Sequence, residues 1–239
     1  DGLYLSHKLC NEQQSTNRED VRRSVKKAMK ELGVSYLDMV CIHSPLTNSE
    51  KRLASWEALL ELQRSGLVKA VGVCNYGLGP LQELQRAFPY DLPAMNQLEI
   101  SPFNQHKDIV MYCAKYGIGV GCGTWSKLSS SPDILAGWDQ LGDIANAQKM
   151  TKAQILVRWA LQKGYTCVPR SAPSSKVEKI AIAENTYGGV NANGKVLSAE
   201  QMAILDGLDV GFASGKLGRR DGWEDGDVKG DDWEPTNFV

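Results

Sequence analysis

No stretch of the sequence approaches the ~20 consecutive apolar residues of a membrane-spanning helix, so no such span is expected. Charge of one sign is also missing. Lys and Arg number 27 against 28 Asp and Glu, a net charge of −1. That balance gives no electrostatic reason for nucleic acid or an anionic membrane as partner. The six cysteines, Cys10, Cys41, Cys74, Cys113, Cys122 and Cys167, include no CxxC pair. Most lie in apolar, strand-like segments and are read as reduced core thiols of a cytoplasmic protein. Cys41 and His43 share a strand face, but no second pair completes a metal set. The opening DGLYLSHKLC has neither a charged leading region nor a long apolar core, so it is not read as a signal peptide. No GxGxxG follows the first strand-like segment, and the glycines of GVGCG (119–123) lead into a serine-rich, proline-containing loop rather than a tight helix. A dinucleotide-binding Rossmann sheet therefore loses its usual mark.

What is present is alternation. Apolar segments rich in β-branched residues predict strands at 2–9, 36–43, 67–75, 93–99, 118–123 and 165–170. Between them, 3.6-residue periodicity predicts helices at 17–33, 49–66, 78–88, 104–117, 139–149 and 151–164, with more near 174–185 and 198–208. The first helix shows the logic. Val21, Val25, Ala28, Met29 and Leu32 form one apolar stripe, Asn17 is placed to cap it, and Gly33 to end it. Strands alternating with helices, apolar on both faces, predict a parallel α/β sheet. A polar tail or loop closes the chain over 211–239, and its acidic pairs lack EF-hand spacing.

An open doubly wound sheet and a closed barrel both fit that rhythm. The strand ends favour the barrel. Lys8, His43, Asn75, Gln97, Thr124, and Arg170 with Ser171 fall at successive strand C-termini. In a (β/α)8 barrel those ends converge on one mouth. A doubly wound sheet would gather similar residues at its switch point.

The motifs GVSYLDMVCIHSP, WEALLELQRSGLVKAVGVCNY, PAMNQLEISPFNQ, KAQILVRWALQKG and CVPRSA occur in this order. Together they resemble the aldo-keto reductases over residues 1 to about 210. The resemblance implies a single (β/α)8 TIM-barrel domain over 1–239, whose first two strands are missing from this chain. It also implies NADP(H) as cofactor and aldehyde or ketone carbonyls as substrates. Lys8 matches the lysine of the family's catalytic tetrad and His43 its histidine. The tetrad's aspartate and tyrosine belong to an earlier strand and loop, and Tyr4 and Tyr36 sit at strand beginnings away from the mouth. In the family the tyrosine protonates the carbonyl oxygen, the lysine tunes it, and the histidine orients the substrate.

For the cofactor, Cys74 and Asn75 match the family's serine-asparagine pair at the nicotinamide carboxamide, and Gln97 its glutamine. Gly123 stands where the family usually stacks a tyrosine, and Thr124 at the following serine. Trp125 is a candidate wall of the substrate pocket. Arg170 and Ser171 match the pair that grips the adenosine 2′-phosphate, and arginine offers phosphate a two-pronged fork. Lys176 matches a second phosphate contact, and Glu184 and Asn185 the adenine site. Other residues receive plain readings: His7 structural, His106 solvated in the first turn of a helix, Glu99 a buried structural acid, Trp56 and Trp159 packing. Self-association covering an open barrel edge is expected. The rival readings are a homologue that binds NADP(H) without redox turnover, using Lys8 and His43 for acid-base chemistry, and a regulatory or structural barrel.

Overall fold

The computed structural model describes residues 3–123, 132–168 and 196–209. Six strands are found among the described residues: β1 (Ser6–Leu9), β2 (Leu37–Ile42), β3 (Val68–Cys74), β4 (Met95–Leu98), β5 (Gly119–Gly123) and β6 (Thr166–Val168). The helices among the described residues are α1 (Arg18–Leu32), α2 (Ser49–Arg64), α3 (Leu78–Ala87), α4 (Lys107–Lys115), α5 (Pro132–Gln148), α6 (Lys152–Gln162) and α7 (Ala199–Asp206). None of these helices is long and apolar enough to cross a membrane.

Local chemistry explains the helix ends. The Asn17 side chain accepts from the Glu19 amide at the start of α1, and Gly33 ends it with φ +68°. That left-handed conformation costs a glycine nothing and an L-residue about 1 kcal/mol or more. Val21, Val25 and Met29 are buried, so the predicted stripe faces the interior. Asn48 caps α2, Thr151 caps α6 and Ser198 caps α7, each accepting a backbone N–H with its side chain.

The chain forms two compact units. The first contains described residues 3–97 and 111–119, the second 98–110, 120–123, 132–168 and 196–209. In the first unit β1, β2, β3 and β4 are parallel neighbours in chain order. A doubly wound sheet reverses its strand order at a switch point; here each strand is added beside the last, as in a barrel wall. Val40, Ile42, Val71 and Val73 are buried on one face of this wall. Met39, Cys41 and Cys74 pack together on the other, with Ala70 and Met95 against them. Helix α1 packs on α2, and α2 on β3. In the second unit β5 and β6 are parallel neighbours, α5 packs on α6 and α7, and α6 on β6.

Three readings are corrected. The helix expected over 104–117 begins at Lys107, because Ser101 and Asn104 close an antiparallel bridge and His106 has φ +44°. His106 is therefore not a solvated first-turn residue: it is buried, with Nε2 beside Asn104 Nδ2 at 2.8 Å. The helix expected over 139–149 starts earlier, at Pro132, where proline suits a first turn. Glu99, Trp56 and Trp159 are buried as expected. Thr124, Trp125, Arg170, Ser171, Lys176, Glu184, Asn185, the helix near 174–185 and the tail 211–239 lie outside the described residues.

Candidate active site

Strand register assembles the site. Lys8 on β1 pairs with Cys41 on β2, Cys41 with Gly72 on β3, and Cys74 with Gln97 on β4. Paired residues of parallel strands share a face, and residues two apart return to it. Lys8, Cys41, Cys74 and Gln97 therefore lie on one face. His43, two residues beyond Cys41, continues it just past the end of β2. His7 takes the opposite face, paired with Val40. Gly72 lets the strands close here: a Cβ would lie 2.9 Å from Cys41 Sγ and 2.9 Å from the Met95 carbonyl oxygen.

The electrostatics centre on Lys8. No carboxylate forms a salt bridge with it among the described residues. Burial lowers the pKa of the half-buried His43 below its ordinary 6.5, Lys8's charge lowers it further, and Glu12 acts in the opposite direction. The imidazole is thus kept neutral near neutral pH, with one N–H to donate. Cys41 donates to Cys74, and that bond with burial holds the Cys41 thiol well above its ordinary 9.0. Cys74 is drawn the other way by the same bond, against burial, with Lys8 adding to the pull.

The loops behind these residues are tied together. The His43 amide donates to the Leu9 carbonyl at 2.9 Å, and Asn75 Nδ2 donates to the His43 carbonyl at 2.8 Å. Asn75 has φ +62° and its amide donates to the Gln97 carbonyl at 2.9 Å; a short polar side chain tolerates that backbone better than most. Ser44 Oγ donates to Asn11 Oδ1 at 2.7 Å, and Gln14 Nε2 to the Ser44 carbonyl at 3.0 Å. Arg52, buried on α2, donates to the carbonyls of Pro45 and Thr47 and forks onto Glu83 at 2.8 and 2.9 Å. Asn96 brackets the Tyr76 backbone, donating to its carbonyl at 2.8 Å and accepting from its amide at 3.3 Å. Sequence reading missed Asn11, Gln14, Arg52 and Asn96 as positioning residues. Arg52 left a signal: it falls on the buried stripe with Trp56 and Leu59, where an unpaired charge is not tolerated.

Gln97 bears most directly on a cofactor. It is 8% exposed, and its backbone carbonyl accepts from the Asn75 amide. Its carboxamide can satisfy both the donor and the acceptor of another carboxamide. Gly123 is fully buried, and a Cβ there would lie 2.5 Å from the Val168 carbonyl oxygen. The place where the family stacks a tyrosine is therefore closed to any side chain on this strand.

Comparisons with known proteins bear on the family and the fold. The model of the aldo/keto reductase family matches residues 1–210, and the chain belongs to that family. Its fold is accordingly of the (β/α)8 barrel type. It is 36% identical over 169 residues to an uncharacterized oxidoreductase of Schizosaccharomyces pombe, covering 71% of this chain and 57% of that protein. It is 30% identical over 175 residues to the methylglyoxal reductase of Escherichia coli K12, covering 73% of this chain and 61% of the relative. A mutant of the protein Gox0644, solved in complex with NADPH, superposes with a TM-score of 0.75 at 26% identity, over 90% of this chain and 73% of that one. The chain thus spans about 60% of the length of these two curated relatives.

Proposed function

We propose that this chain supplies the cofactor-facing wall and two catalytic groups of an NADPH-dependent reductase of aldehydes or ketones. The observation that carries the reading is the placement of Lys8 and His43 at adjacent strand ends on one face, which Cys74 and Gln97 continue. When bound, NADPH would supply a hydride to the carbonyl carbon, and a proton from water would complete the alcohol. Lys8 places a fixed positive charge where negative charge develops on the carbonyl oxygen, and the neutral His43 donates a hydrogen bond to that oxygen. Gln97 and Asn75 hold the nicotinamide carboxamide, with Cys74 beneath them engaged with Cys41. Arg170, with Ser171, grips the 2′-phosphate, which favours NADPH over NADH. Small reactive carbonyls are the first substrates to try, because one relative is a methylglyoxal reductase. Six free cysteines suit a cytoplasmic setting.

NADPH consumption at 340 nm with methylglyoxal and simple aldehydes tests the proposal. Lys8→Met and His43→Gln are each expected to lower kcat by about 100-fold or more. Turnover unchanged in both variants would remove these residues from the mechanism. A second reading, nucleotide binding without turnover, draws support from Gly123, which leaves no room on its strand for a stacking ring. Transfer of deuterium from labelled NADPH to product would end that reading. Tight NADPH binding with no label transferred would uphold it instead.

A further inference from the structure

Two thiols outside the candidate active site face each other in the second unit. Cys122 on β5 and Cys167 on β6 are register partners in adjacent parallel strands, and their sulfurs are 3.7 Å apart. Neighbouring strands run about 4.8 Å apart, inside the Cα separation that a disulfide spans. The sulfurs need to approach to ~2.05 Å for a bond. Gly121 and Gly123 flank Cys122, so no neighbouring side chain on β5 crowds the pair. Access is asymmetric: Cys122 is fully buried, whereas Cys167 is partly exposed. Cys122 donates its S–H to Cys167, and that bond with burial keeps its proton firmly in place. Cys167 Sγ also lies 3.8 Å from the Val157 carbonyl oxygen in the middle of α6 and 3.9 Å from that of Tyr165 just before β6.

We propose that Cys122 and Cys167 form a redox modification site, a dithiol that a peroxide converts to an intramolecular disulfide across β5 and β6. The more exposed Cys167 sulfur attacks one peroxide oxygen, breaking the O–O bond and releasing the other oxygen as water. The resulting sulfenic acid is attacked by the Cys122 sulfur; the S–S bond forms, the S–O bond breaks, and a second water leaves with the Cys122 proton. Two thiols are oxidised and one peroxide is reduced to two waters. A thiol reductant reverses the step by exchange. The high proton affinity of Cys122 makes closure slow at neutral pH and faster as pH rises, since the thiolate is the nucleophile.

The test uses the purified native chain, reduced, then treated with hydrogen peroxide at pH 8 and alkylated in denaturant. Non-reducing digestion and mass spectrometry are expected to give a peptide joining Cys122 to Cys167. Intact mass should fall by about 2 Da, and dithiothreitol should restore it. Cys167→Ser should abolish the link, and Cys10→Ser, which alters a thiol of the first unit, should leave it unchanged. Cys122 recovered alkylated while Cys167 carries sulfinic acid would overturn the proposal. So would a link that forms only in denaturant. The wild-type peptide map decides the matter even if a variant fails to fold.

Discussion

Gly72 in the first unit and Gly123 in the second each show how little space adjacent strands leave. A Cβ at Gly123 would meet the Val168 carbonyl oxygen at 2.5 Å, and neither backbone can give without breaking the β5–β6 ladder. Gly123→Ala is expected to cost about 1–3 kcal/mol in chemical denaturation. A neutral result would show that β5 relaxes freely. His43 sets a pH dependence. Its folded pKa lies below 6.5, for reasons of burial first and Lys8 second. Between that folded value and 6.5 the unfolded chain binds the extra proton. Above 6.5 both states are neutral and the group contributes nothing to the slope; as pH falls below 6.5 stability declines. His7 is shifted the same way by burial, so the effect is shared. Urea midpoints at pH 7.5 and pH 5.5 should show the loss, and His43→Gln should flatten part of it. An unchanged slope in that variant would place the dependence elsewhere.

At the scale of elements, caps and ties set where chain segments stop and which loops they hold. Asn17→Ala removes the acceptor of the Glu19 amide at the start of α1 and should cost about 1 kcal/mol. Arg52 does more. It joins α2 to the loop after His43 through Pro45 and Thr47, and to α3 through Glu83. Arg52→Leu strands a partly buried carboxylate and frees that loop; a loss of about 3 kcal/mol is expected. The same variant should lower kcat more than it raises KM, because His43 loses its support rather than the substrate its pocket. Equal changes in both would make Arg52 merely structural. Elements were legible where periodicity was long and caps were explicit, as with Asn17, Gly33 and the 151–164 helix. The start of α4 was not legible. The Ser101–Asn104 bridge and the turned His106 backbone depend on a local fold that no apolar period records.

For the whole molecule, ligand linkage provides the broadest check. A ligand that binds only the folded chain stabilises it by about 2.7 kcal/mol at 100 times its Kd. NADPH should then raise the thermal midpoint by about 5–10 °C, and NADH by less, because it lacks the 2′-phosphate that Arg170 is proposed to grip. Equal shifts from both would remove Arg170 from that role. The sequence alone determined the parallel α/β class and the alternation of strands and helices, which are local features: a period of two or 3.6, or a cap. Lys8 and His43 stood out only through the series of motifs that resembles the family. The tertiary structure decided the rest. Only strand register brought Lys8 opposite Cys41 and Cys74 opposite Gln97, sulfur to sulfur at Cys122 and Cys167, and Arg52 onto carbonyls of the loop it supports. Such contacts join residues from separate strands and helices, and their energies depend on distances that no single segment of sequence contains.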